Sequence, residues 1–130
     1  MSSLRSPLGE ALGSGSAHAG TAHWWTQRVS AVALIPLTLW FVFSLLMLPD
    51  LSYLTVRAWL ATPFCAFLAM LLIVVVACHA ELGTSVIVED YVHAPGMRTL
   101  ILQLLRWTYV LAAGLAVFAI LRITFAAPLA

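Results

Sequence analysis

Apolar positions along the chain gather into three long runs separated by short polar breaks. The runs are Val29 to Leu48, about Ala58 to Ala80, and about Trp107 to Phe125. Each comes close to the roughly 20 residues that cross a bilayer's hydrocarbon as a helix. Trp24 and Trp25 stand at the mouth of the first run, where amphipathic rings settle at a membrane interface. Pro36 lies inside that run and is expected to kink it, which membrane helices tolerate. Pro49-Asp50 ends the first run. Pro95-Gly96 breaks the chain ahead of the third, with Arg98 and Arg106 flanking the approach. The pattern predicts an all-α membrane protein with three transmembrane helices, at about 29–48, 58–88 and 104–125, forming one anchor domain over 23–130. Residues 1–22, rich in Gly, Ser and Ala, read as a flexible tail. They lack the apolar core of a signal peptide.

Composition removes the soluble alternatives. The 130 residues are 63% hydrophobic and only 8% charged, with a mean hydropathy of +1.04, whereas a soluble domain carries about 25% charge. The length suits one domain. All six basic residues are arginine, the net charge is +1, and no basic cluster offers a nucleic-acid surface. Cys65 and Cys78 fall thirteen positions apart, about 220° round a helix, so they cannot pair within the chain. With no CxxC, neither a redox dithiol nor a zinc site is indicated. Arginine placement sets an orientation. The tail and second loop hold Arg5, Arg28, Arg98 and Arg106, against Arg57 and Arg122 on the other side. This predicts an N-terminus on the cytoplasmic or matrix side and a C-terminus on the outer side. Three spans of this size hold few polar groups with which to make an enzyme or a channel, so the chain reads as one subunit of a larger assembly, with no catalytic residue assigned to it.

The candidate chemistry lies in "VVVACHAELGTSVIVEDYV", Val74 to Val92. At about 100° per residue from His79, Gly83 lies about 40° round, Asp90 about 20° and Tyr91 about 120°. His79, Gly83 and Asp90 therefore share a face if the helix continues, with Tyr91 at its flank and the acid about 16 Å further along the axis. Glu81 points to the far side. Glu81 and Glu89 read as solvated or helix-capping groups. His79, an ionisable residue in a span, is either an axial ligand to haem iron or a histidine hydrogen-bonded to a neighbouring helix. Asp90 and Tyr91 read either as a proton-handling pair at the head of a lipophilic quinone or as ordinary interface residues. Arg28 reads as a positive-inside anchor or as the partner of a buried anion such as a haem propionate. His23 and His93 read as interface residues. His93 is about 21 Å beyond His79 along a continued helix, too far for the two to ligate one iron. A bis-histidine haem would need another segment or chain.

Three features together resemble the hydrophobic membrane anchor (D subunit) of succinate dehydrogenase, respiratory complex II, in its alphaproteobacterial form. They are "HWWTQRVSAVALIPLTLWFVF" opening the first span, "HAELGTSVIVEDYV" with its His-to-Asp-Tyr spacing, and three spans with a short C-terminus. The likeness covers about residues 20–125. It implies a partner C subunit (the cytochrome b anchor), with a flavoprotein and an iron–sulfur subunit docked on the cytoplasmic or matrix face. FAD and iron–sulfur clusters would sit only in those partners. It implies a b-type haem shared with the C subunit, with His79 as the iron ligand and Arg28 near the propionates. Tyr91 and Asp90 would lie at the ubiquinone site, and the membrane would be the bacterial inner membrane. Two other readings stand beside it: the anchor of a quinol:fumarate reductase, and a cofactor-free membrane adaptor.

Overall fold

A computed structural model describes residues 18–125, with side chains from residue 21 onward. The tail expected over 1–22 lies outside the described residues up to position 17, and residues 18–22 belong to the first helix. Four helices follow: α1 His18–Leu46, α2 Tyr53–Ala61, α3 Pro63–Tyr91 and α4 Pro95–Phe125. Three of them are long and apolar enough to span a membrane, over Thr21–Leu46, Pro63–Tyr91 and Pro95–Phe125. The all-α, three-span architecture is as the hydropathy pattern predicts. In hydrocarbon only a helix satisfies its backbone groups within one segment, so long apolar runs have no other viable form.

Local chemistry sets the breaks. Thr62 precedes Pro63, and the proline ring pushes its predecessor out of helical geometry. Thr62 accordingly sits at φ −69°, ψ 122°, ending α2 and leading into α3. Residues 58–61, continuous in hydropathy with the second run, thus belong to the separate helix α2. Pro63 and Pro95 each occupy a first helical position, where the missing N–H is no loss. Pro95-Gly96 therefore opens α4 directly, and the break between α3 and α4 is only residues 92–94. Pro36 lies within an uninterrupted α1. It withholds one backbone donor from Val32 without ending the helix.

The α1–α2 link is tied by a polar turn. The Ser52 N–H donates to Asp50 Oδ1 at 2.9 Å, and the Thr55 N–H donates to Ser52 Oγ at 3.4 Å, capping α2. Side-chain hydrogen bonds from Thr55 and Ser52, then the Ser52 backbone donor, hold the exposed Asp50 carboxyl down to about 2.

Helix α3 is central. It packs against α1 on one flank and α4 on the other, while α2 lies against α3 and α4. The backbones of α1 and α4 do not meet among the described residues. The tightest packing is at the α2 end, where Ala66 and Ala69 of α3 meet Ile120 of α4. Trp40, Leu60, Met70 and Ile73 close around them. Small residues three apart let helices approach where hydrophobic burial offers no drive between them. Trp40 stacks on Trp59 with ring centroids 5.8 Å apart, and Thr124 Oγ1 donates to the Leu60 carbonyl at 3.4 Å. These contacts bind α1 and α4 to α2. Among the described residues no large side chain is fully buried, so the helices present most of their apolar surface outward.

Two outcomes follow. Ala66, 1% exposed, has no room for growth. Ala66→Leu should lower the unfolding free energy in bilayer discs by about 1–3 kcal/mol, and an unchanged denaturation midpoint would show the α3–α4 seam to be loose. Because its pKa is depressed in the fold, ionised Asp50 stabilises the turn above its ordinary value of 3.8 and ceases to as pH falls through about 2. The Ser52 and Thr55 amide resonances should shift in that window and stay put in Asp50→Asn.

Candidate functional site

His79 sits midway along α3 on the face turned to α1. Two α1 residues three positions apart, and so on one side of that helix, meet its ring. Ser30 Oγ lies 3.0 Å from His79 Nδ1, and Gln27 Nε2 lies 3.4 Å from His79 Nε2. Ser30 also donates to the Gln27 backbone carbonyl at 3.0 Å. Ser30 is one of two buried polar residues among the described residues, the other being Ser85. The Gln27 side-chain oxygen is buried with no hydrogen-bond partner among the described residues, so the amide is only half satisfied where it lies. Gly83, one turn from His79, underlies the same amide. A Cβ added there would meet Gln27 Nε2 at 3.6 Å, an ordinary contact. Packing within this chain therefore does not require glycine at position 83.

Beside this contact runs an apolar groove of about 360 Å³ between α1 and α3, lined by Trp25, Val29, Ser30, Ala33, Val74 and Cys78 among others. It opens outward. Its lining includes Ser30 but not His79, Gln27 or Gly83, so it lies beside Ser30 and not over His79 Nε2. Neutral imidazole is a good iron ligand when its other nitrogen is held by a hydrogen bond. A ring held at Nδ1 with a displaceable amide over Nε2 fits an iron ligand of a haem site.

The other sequence candidates fall at different levels. Helix α3 is continuous to Tyr91, so His79, Gly83 and Asp90 do share its angular sector. Asp90 and Tyr91 form its last turn and are exposed, Tyr91 at 79%. Arg28 is exposed on α1, its guanidinium 5.4 Å from the centroid of the Trp24 ring, in cation–π range. It does not join Gln27 and Ser30 at His79. Glu81 and Glu89 line a groove of about 400 Å³ between α3 and α4, with His23, Gln103 and Arg106. No ion pair forms there among the described residues. Ser30 and Gln27 were not among the sequence candidates. Their signal was two polar residues at helical spacing just inside an apolar span.

The model of the succinate dehydrogenase/fumarate reductase transmembrane subunit matches residues 2–127. The chain belongs to this family. Similar curated proteins include the succinate dehydrogenase hydrophobic membrane anchor subunit of Paracoccus denitrificans, 39% identical over 65% of this chain and 66% of that one. The Rickettsia conorii protein of the same name is 29% identical over 88% and 94%. The succinate dehydrogenase membrane anchor subunit of Reclinomonas americana is 32% identical over 67% and 75%. The resemblance to the succinate dehydrogenase membrane anchor is thereby borne out. Within the succinate dehydrogenase/fumarate reductase family this chain is a multi-pass membrane anchor.

Proposed function

We propose that the chain is the anchor subunit of a succinate:ubiquinone oxidoreductase in a bacterial inner membrane, sharing a b-type haem with a partner C subunit and completing a ubiquinone site. The observation that carries the proposal is the Ser30–His79–Gln27 contact. It presents a histidine at membrane depth with one nitrogen anchored and the other covered only by an amide with a buried, unpaired oxygen. The names of the relatives support succinate oxidation over the fumarate-reducing alternative, and the His79 contact with its unpaired amide oxygen supports a cofactor over a bare adaptor.

In this reading the bound haem supplies a one-electron store between partner and quinone. The chain's own residues have simpler tasks. His79 ligates the iron through Nε2 while α1 holds the ring. Arg28, free to swing from Trp24, pairs with a propionate. Tyr91 donates its phenol proton in a hydrogen bond to a quinone carbonyl, and Asp90 orients the head group or relays protons to it. The flavoprotein and iron–sulfur partners, with their FAD and clusters, meet the end of α3 that carries Asp90 and Tyr91. That end then faces the cytoplasm, in agreement with the arginine distribution.

The assembled complex tests both levels. His79→Ala should abolish or shift the reduced b-type bands, and an unchanged spectrum would sink the ligand assignment. Tyr91→Phe should lower quinone reduction by about 10²-fold or more, on the scale of a lost acid–base contact. Succinate oxidation with a soluble acceptor should persist. Equal activity with both acceptors at parent levels would return Tyr91 to the role of an interface residue.

A further inference from the structure

We infer that Ser30 is a positioning residue that fixes the tautomer of His79, protonating Nδ1 and leaving Nε2 as the lone-pair nitrogen. The inference rests on the haem-ligand reading of His79 and names what on this chain makes that nitrogen available. A serine hydroxyl carries one proton. Ser30 gives it to the Gln27 carbonyl at 3.0 Å, three residues back on α1. Its oxygen then faces His79 Nδ1, also at 3.0 Å, only as an acceptor, which requires a proton on Nδ1. The other ring nitrogen gives the same answer independently. Gln27 Nε2, which can only donate, faces His79 Nε2 at 3.4 Å and so needs a lone pair there.

Turning the Gln27 amide over would reverse the ring: Nε2 would donate to the amide oxygen and the Ser30 hydroxyl to Nδ1. That arrangement gives two hydrogen bonds where the first gives three, because the single hydroxyl proton leaves the Gln27 carbonyl. The Gln27 carbonyl keeps its helical N–H donor, so the two arrangements differ by one hydrogen bond, made where Ser30 is 8% exposed and water competes little.

The chain Gln27 carbonyl, Ser30 hydroxyl, His79 Nδ1–H also has an electronic consequence. An acceptor on Nδ1–H raises the basicity of the opposite nitrogen and tunes the metal it binds. A more basic axial ligand favours the oxidised iron, so Ser30 lowers the haem midpoint potential. Such outer partners are typically worth about 10- to 100-fold in metal affinity.

The test uses the assembled complex with four substitutions: Ser30→Ala, Ser30→Thr, Ser30→Val and His79→Ala. Thr and Val share a shape and differ by the hydroxyl, so their difference reads the hydrogen bond and not the packing. Ala and Val are expected to keep the b-type bands, raise the haem midpoint potential, and release haem about tenfold faster in a chase with apomyoglobin. Thr should stay near the parent in both. If Ala, Val and Thr all match the parent while His79→Ala loses the bands, Ser30 only fills space and the inference fails alone. If Thr and Val are displaced equally, it fails on the same ground. If His79→Ala retains the parent spectrum, the ligand reading fails and takes this inference with it.

Discussion

In hydrocarbon, a polar group that leaves its partner finds no water to replace it. That constraint governs every helix of this chain and gives its few side-chain hydrogen bonds across helices their meaning. Backbone groups are satisfied within each helix, so helix formation says little about which faces meet. The contacts that fix α1 against α3 are then Trp40, packed over the Ala66–Ala69 cluster at one end, and the Ser30–His79 contact nearer the other. A histidine with both ring nitrogens addressed from a neighbouring helix sets the rotation of that helix as well as its distance. A slip of α1 by one residue would turn Ser30 about 100° away.

The row of α1, α3 and α4 is open. Because the backbones of α1 and α4 do not meet among the described residues, α3 has two covered flanks. The α1–α3 groove beside Ser30 opens outward. This suits a subunit whose deep surfaces are finished by another chain, and it accounts for the outward-facing bulk of its aromatic and aliphatic side chains. The family membership and the architecture thus agree on a membrane anchor.

Much of this was readable along the chain. Hydropathy located the three spans because a run of about 20 apolar residues has few structural alternatives. Counting about 100° per residue placed His79, Gly83 and Asp90 in one sector, a relation that needs only a continuous helix. What hydropathy missed is local or non-local sterics. It ran across Thr62-Pro63 because both sides are apolar, although the proline makes a separate helix of Tyr53–Ala61. It offered no partner for His79, since the meeting of Ser30 and Gln27 with that ring depends on how two helices cross. It also could not choose a side for Arg28, whose guanidinium rests on its own helix, over Trp24.

The lengths of α3 and α4 carry a mechanical consequence. At 29 and 31 residues, they reach about 43 and 46 Å, against a hydrocarbon slab of about 30 Å. The surplus is concentrated where they join. Ser85 to Tyr91 closes α3, and Pro95 to Arg106 opens α4, with Arg98, Gln103 and Arg106 on it. The hairpin is therefore a short two-helix post that rises through the headgroup layer and carries Asp90 and Tyr91 near its top. A force applied at that post reaches the other end of α3 along a rigid rod.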